Sequence, residues 1–548
     1  MNEIFRPGKA FKSGNHYYAD RKEYIIDPYD ASVTRVKRLI EEKAVCCPFI
    51  LKDLQNVTID LNGAVLRFNG GCLPFVLENC KNITLRNFTI DYRRAPYTQF
   101  EMLEADEDHV ALKLCEGFDC IRRGNELIPV DGAYEYEMHS GDLLLQPFDA
   151  ITRAPSYNGW CILAVIGDEG KAGENPPMPI QHLKSEIRED GTVVWYGKFP
   201  KTWRRGQMLA VAHESRACPG IYCCDCENTV VEHVRMKRVA GFGIHGFFCK
   251  DFTVRGLVIK TDDDSNELVS INADAVHQIG LSGKLVMEDC VFENMLDDGG
   301  NFHNYFVPVE KTENNTVTVS FRFPGGCALA WHRIFRPGQR LTVYHKNTIR
   351  VKGHVKVEKI TYDDERYCAE MILKGDVQCV EAGDHLENHE AAPEIEIRRC
   401  RTGRNRPRGF LISTWRKTLI EGCHFTSSSC AIHFTGDTEY WFESGYVSDV
   451  TIRNNIFENC CYNGGDASII ASPTFTSVPD EKYYHRGIKI LDNLFISFID
   501  TAAKFSYTKD VIYKGNRFIH SGTYPYRGKA PRIITEQCDN IQTEEDEL

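Results

Sequence analysis

The stretch Asn272–Asn304 concentrates the residue types of acid–base chemistry. Asp274 and His277 come first, a strand-like run Lys284–Glu293 follows, and Asp297, Asp298, Gly299, Gly300, Asn301 and His303 then stand almost together. Asp297 lies 23 residues after Asp274, and Asp298 lies 24. If that step is one coil of a β-solenoid, carboxylates on successive coils stand about 4.8 Å apart, the separation of neighbouring strands. Two such carboxylates can flank one small group, as cleavage of a glycosidic bond by an acid and a base or nucleophile requires. Crowding helps, because like charges close together raise at least one carboxyl pKa and keep a proton on the site near neutral pH. Without Asp274 a coil earlier, DDGGN would read as a turn, since Asp, Asn and Gly tolerate φ > 0 and bond their own backbone. Adjacent strand residues face opposite sides, so Asp297 and Asp298 can both serve only if a turn or bulge re-aims one. Gly299-Gly300 is expected to permit that through its backbone freedom. His245, in GFGIHGF, is expected on an earlier coil lining the same groove.

The elements that position these residues repeat. NVTIDLNGAVLRF from Asn56 and NITLRNFTIDY from Asn82 share one phrase: a short β-branched run, a polar or Asn-bearing corner, and a second short run. The phrase returns from Thr229, Asp251, Lys284, Glu394, Lys417, Asp449, Gly487 and Asp510, with steps that include 26, 22, 23 and 23 residues. A fixed period of this length marks a solenoid. Period-2 alternation within the runs makes it β rather than α. Two regions break the rhythm with hairpin-like alternation, and both are expected to be β-rich, barrel-like insertions beside the site. The expected organisation is therefore an N-terminal cap with the first coils (1–95), an insertion (96–216), the coils with the aspartates (217–304), a second insertion (305–389), and C-terminal coils with an acidic tail (390–548). Cys80, Cys290, Cys400 and Cys423 recur at one place in the phrase and are expected to stack as small buried side chains. Asn455 and Asn493 are expected to be structural corner residues.

The totals narrow the function. The chain has 548 residues, 42% hydrophobic and 11% aromatic, enough for a large core. A net charge of -12 argues against nucleic acid or an anionic membrane surface as partner, because phosphate binding needs clustered Lys and Arg. The first thirty residues lack the apolar run of a signal peptide, and no later run is long enough to span a membrane, so a cytoplasmic protein is expected. The 22 cysteines lack a disulfide pattern and read as reduced thiols. Cys223, Cys224 and Cys226 have no second Cys or His pair at zinc spacing, and Asp262-Asp263-Asp264 reads as a solvated turn rather than a calcium loop. Acid–base chemistry on an acetal needs only carboxylates, so neither metal nor organic cofactor is expected. The edges of a solenoid leave room for a homodimer.

The order Asp274-Ala275-x-His277, one coil, then Asp297-Asp298-Gly299-x-Asn301-x-His303, with the repeats and both insertions, resembles glycoside hydrolase family 110. RNRPRG (Arg404 to Gly409) and EYWFESG (Glu439 to Gly445) extend the likeness, which runs from about Asn56 to Phe518. The resemblance implies a right-handed parallel β-helix, all-β, that removes terminal α-1,3-linked galactose with inversion. Asp274, Asp297 and Asp298 match the family's catalytic aspartates. The chain departs from the family at Gln278, where an aromatic is usual, and at Asn304, where a Gly is usual. Trp441 is expected to be a sugar platform, Glu443 a hydroxyl acceptor, and Arg406 and Arg408 donors to hydroxyls. His277, Asn301 and His303 are expected to line the substrate. Which aspartate is acid and which is base stays open.

Two other classes fit a β-helix. A lyase or epimerase of uronic acids would need Lys, Arg or a metal beside the base to neutralise the substrate carboxylate, and a polygalacturonase would need a halo of bases in its groove. No basic cluster close in sequence matches the acidic one. A glycan-binding solenoid would bind sugar and be indifferent to Asp298→Asn, whereas a hydrolase would lose turnover and keep its fold.

Overall fold

The structure, a computed structural model, describes residues 1–28, 32–37, 42–136, 143–166, 180–212, 218–321, 334–346, 348–475 and 483–544. The last residues of the acidic tail lie outside them. The architecture is a right-handed parallel β-helix, all-β as expected. Each coil contributes two short runs to one long parallel sheet and a third run to a second parallel sheet. In one coil the runs are Ser282–Glu288, Val291–Glu293 and Gly300–Tyr305. The repeated phrase is the pair of runs in the first sheet.

Strand alternation places one side of every run inside the coil. Gln55–Phe68 shows it, with Val57, Ile59, Leu61, Ala64, Leu66 and Phe68 buried between more exposed neighbours. Stacking identical positions fills the interior with rows of like side chains. Phe425, Phe457 and Phe495 form one row, with centroids 5.1 and 4.8 Å apart and near-parallel rings. The corners need left-handed backbone, which short polar side chains tolerate. Asn87 and Asn454 adopt it, with φ of 60° and 55°.

The cysteines occupy two rows, not one. Cys290, Cys400 and Cys423 line the corner between the two runs of the first sheet. Asn455, Asn493 and Asn516 then continue that corner, each side-chain oxygen accepting the backbone N–H one coil earlier at 2.8–3.0 Å. Cys80 instead ends the turn that leaves the second sheet, above Cys226 and Cys249. The residue before a short run looks alike at both corners in sequence, although the corners lie on different edges of the coil. Asp262 pairs with Arg235 and Lys237 at 2.8 and 2.7 Å, and Asp263 with Lys260 at 2.7 Å, so neither carboxylate is left for calcium.

Two closed barrels interrupt the helix. The first is built from strands between Tyr97–Ala105 and Met208–Ala212, the second from strands between Val307–Glu313 and His385–Asn388. The first is fastened to the segment that leads into Asp274. Tyr97 Oη accepts the N–H groups of Leu268 and Val269 at 3.1 and 3.3 Å, and Asn272 Nδ2 donates to Pro96 O at 2.9 Å. Leu296, just before Asp297, packs with Phe148 and Ala210 of the same barrel. The second barrel shares a hydrophobic core with Tyr222, Phe247 and Ile279 on the outer face of the second sheet. Asn304 Nδ2 donates to Asn388 O of that barrel at 2.8 Å.

Candidate active site

The acidic residues lie in the turn that leads into the second sheet, where consecutive coils stack in register. Gly243 N–H donates to Asp274 O, Ala275 N–H to Asp298 O, and Gly299 N–H to Arg408 O, at 2.9 to 3.1 Å. Asp274, Asp298 and Arg408 therefore occupy the same position on three successive coils. Asp297 and Asp298 sit in the bend before Gly300–Tyr305, outside regular strand, so both can turn to one side. The glycines do not supply left-handed backbone: neither Gly299 nor Gly300 has positive φ. They supply closeness. A Cβ on Gly299 would lie 2.7 Å from Gly409 O, and one on Gly300 would lie 2.6 Å from Phe302 Cζ.

Oxygens of Asp274, Asp297 and Asp298 lie within 4.8 Å of one another. All three residues are buried; Asp297, at 8%, is the most exposed. Asp274 Oδ2 stands 2.5 Å from His277 Nδ1, and its Oδ1 accepts the Asp298 N–H at 3.1 Å. Asp298 Oδ1 accepts Arg408 N–H and Nε–H, both at 3.0 Å, and Arg408 Nη2 lies 2.9 Å from Oδ2. Oδ1 thus takes both hydrogen bonds from Arg408, and the Nη2–Oδ2 approach is an ion pair without hydrogen-bond geometry. Burial raises the Asp298 pKa, Arg408 opposes it, and the Asp297 and Asp274 carboxylates add to it, leaving the group at about 8. The cluster thus retains a proton at neutral pH. The oxygens are near enough to share one cation, but an imidazole and a guanidinium already face Asp274 and Asp298, and no metal is assigned.

The histidines extend the cluster along the outer face of the second sheet. His277, on Val276–Ile279, and Asn301 are register partners on adjacent strands. His277 Nε2 lies 2.9 Å from His303 Nε2. Glu443, from an antiparallel strand paired with Asn304 and Tyr305, accepts Asn301 Nδ2 at 3.1 Å and stands 3.6 Å from His303 Nε2. His245 is one coil earlier, its ring stacked on Phe242 at 4.0 Å and 5.3 Å from His277. Arg406 Nε donates to Leu296 O at 3.1 Å and Nη1 to Cys161 Sγ at 3.5 Å. Arg408, a candidate for sugar hydroxyls, directs its donors at Asp298 and is 27% exposed. Trp441 is 44% exposed on a loop whose N–H groups at Glu439, Tyr440 and Trp441 are gathered by Asp437. Gln278 points into the coil, where the missing side chain of Gly246 leaves it room.

One residue escaped the sequence reading. Trp160, in a loop of the first barrel, is 59% exposed with its ring edge toward Gly464, and its neighbour Cys161 meets Arg406. Its loop is pinned by Asn158 N–H to Tyr462 O at 3.0 Å and by Trp203 Nε1 to Trp160 O at 2.9 Å. The only signal was a tryptophan amid Pro, Ser, Asn and Gly, and nothing local tied it to the coils.

No family model matches the chain. Curated relatives do. It is 28% identical over 537 residues to α-1,3-galactosidase A of Shewanella woodyi, covering 95% of this chain and 81% of that protein. It is 27% identical over 508 residues to α-1,3-galactosidase B of Bacteroides thetaiotaomicron, covering 90% and 78%. The chain is a relative of the α-1,3-galactosidases of glycoside hydrolase family 110. Another relative, α-1,3-galactosidase A of Bacteroides fragilis, is 26% identical over 527 residues, covering 94% and 82%. Among solved structures, a mannuronan C-5 epimerase A-module of Azotobacter vinelandii aligns at a TM-score of 0.36 with 10% identity, over 97% of this chain and 92% of that one. An endo-xylogalacturonan hydrolase of Aspergillus tubingensis aligns at 0.35 with 8% identity, over 99% and 92%.

Proposed function

We propose that the chain is an exo-acting glycoside hydrolase that releases terminal α-1,3-linked galactose with inversion. The observation that carries the reading is the convergence of three buried aspartate oxygens within 4.8 Å, one carboxylate held by an imidazole and another by a guanidinium. The relatives named α-1,3-galactosidase support the sugar and the linkage. In the reaction, Asp274 takes a proton from water as the water oxygen bonds to the anomeric carbon. The glycosidic C–O bond breaks with its electrons on the leaving oxygen, which takes the proton that the Asp297–Asp298 pair retains. Asp297, the more exposed of that pair, faces the leaving oxygen. Trp441 and Trp160, both exposed, are the aromatic faces proposed as platforms for the galactose and for the sugar it leaves.

Retention is the second reading, and one observation favours it. Inverting pairs stand about 6.5–9.5 Å apart to admit water, retaining pairs about 5–5.5 Å, and these oxygens approach more closely than the inverting range. Proton NMR of Gal-α-1,3-Gal during turnover decides. Early β-galactose supports inversion, early α-galactose supports retention. Absence of release from this disaccharide and from a chromogenic α-galactoside overturns the galactosidase reading. Asp274→Asn, Asp297→Asn and Asp298→Asn are expected to abolish turnover in chains that melt like the parent.

A further inference from the structure

The contacts along Asp274, His277 and His303 set a proton count. His303 Nδ1 stands 2.7 Å from the Asn304 carbonyl oxygen, which can only accept, so that nitrogen carries a hydrogen. His277 Nε2 and His303 Nε2 are 2.9 Å apart. Two bare nitrogens repel at that distance and two N–H groups collide, so one hydrogen lies between them. His277 Nδ1 and Asp274 Oδ2 are 2.5 Å apart. A bare nitrogen beside a carboxylate oxygen is excluded in the same way, so another hydrogen lies there. Two neutral imidazoles own two hydrogens, whereas these three contacts require three. The count holds whichever tautomers are drawn.

We propose that Asp274, His277 and His303 form one proton-holding unit with one proton more than two neutral imidazoles and a carboxylate, resident on His277, and that His303 is a positioning residue acting through it. Its role in turnover rests on the hydrolase reading; its existence does not. The surroundings place the extra proton. Facing His277 are the Asp274 carboxylate on its own coil, His245 on the preceding coil and His303 on the following strand, while Asp297 and Asp298 bring their oxygens within 4.8 Å of that of Asp274. Phe242 lies edge-on at 5.1 Å and offers no lone pair. Arg408 is engaged by Asp298, and Arg406, the second permanent cation near Asp297 and Asp298, by Leu296 O and Cys161, so the charge that bears directly on His277 is the Asp274 carboxylate 2.5 Å away. His303 is the poorer host, because burial lowers its pKa although Glu443, 3.6 Å away, opposes this. An imidazolium on His277 keeps Asp274 ionised, the state a base needs, beside the Asp297–Asp298 pair, which holds one proton. The unit as a whole is neutral, which suits its burial.

Histidine-selective 15N NMR on the full chain tests this, with His277→Gln assigning the signals. At pH 7 both ring nitrogens of His277 are expected to carry hydrogen. His303→Phe removes the acceptor, so His277 should fall to one hydrogen and kcat should drop by about tenfold or more with KM nearly unchanged. In His303→Gln the side-chain oxygen still accepts from His277 Nε2, so the second hydrogen and the rate should return. A single hydrogen on His277 in the parent chain, or two in His303→Phe, overturns the proposal. If His303→Phe does not fold, the parent and His303→Gln spectra still decide. Two hydrogens on His277 in a chain that cleaves no galactoside would uphold the unit and sink the hydrolase reading.

Discussion

Replacing Asp298 by Asn probes the site through rate and stability at once. The parent carboxylate is 1% exposed, accepts two hydrogen bonds from Arg408 on Oδ1, and has Oδ2 2.9 Å from Arg408 Nη2. Asn keeps the shape and one acceptor, while its amide nitrogen opposes Arg408 Nη2. Removing a group that works as acid or base lowers kcat about 10²–10⁴-fold, or about 2.7–5.5 kcal/mol of barrier. On stability the sign reverses with pH. The Asp298 pKa, raised by burial against the pull of Arg408 to about 8, lies above the ordinary carboxylate value. The folded chain therefore binds this proton more tightly than the unfolded chain. That contribution is fully present below about pH 4 and is lost as pH rises through about 8. Within the window the parent loses up to about 1.4 kcal/mol per pH unit through this group, whereas Asn, which never ionises, loses none. The melting temperature of Asp298→Asn relative to the parent should climb steadily from pH 5 to 8, while its kcat on Gal-α-1,3-Gal stays at least a hundredfold down. Parallel melting profiles across that range, or turnover within about threefold of the parent, would refute the reasoning.

Other outcomes follow from neighbouring geometry. Gly300→Ala would bring a Cβ within 2.6 Å of Phe302 Cζ and 3.0 Å of Phe410 Cδ1, both buried rings, and is expected to cost about 1–3 kcal/mol in denaturant unfolding. Glu387, buried between the second barrel and the Glu443–Ser444 strand, accepts Tyr344 Oη at 2.6 Å and Ser444 Oγ at 2.7 Å. Burial raises its pKa to about 7 against those two donors, so its stabilisation is lost as pH rises through 7. Glu387→Gln should accordingly gain on the parent in thermal melts at pH 8.5 but not at pH 5.5. Trp160→Ala should raise KM for the disaccharide severalfold and leave a chromogenic galactoside nearly unaffected, as steady-state kinetics on the two substrates will show.

Much of the fold is legible in the sequence because a solenoid is built from nearest-neighbour contacts. Runs that alternate with period 2 and return every 22 to 26 residues can stack only as coils, and Asn at the corners meets a local backbone need. The same locality made Asp274 and Asp298 legible as neighbours, since no insertion separates them and 24 residues is one coil. What the sequence could not show is whatever crosses a barrel. Arg408 lies 110 residues after Asp298 yet sits one coil above it, because the whole second barrel leaves and re-enters at that point. Cys161 meets Arg406 across 245 residues, which is why Trp160 went unseen. The reason for Gly299-Gly300 was also tertiary, being the approach of Gly409, Phe302 and Phe410 rather than backbone freedom. Residue types and coil spacing by themselves determined that Asp274 stands one coil from the Asp297-Asp298 pair with His277 and His303 nearby, and left open whether both members of the pair turn to one side. Only the packed structure decided which atoms face one another, because hydrogen-bond partners and proton counts depend on distances of a few tenths of an ångström that no spacing encodes.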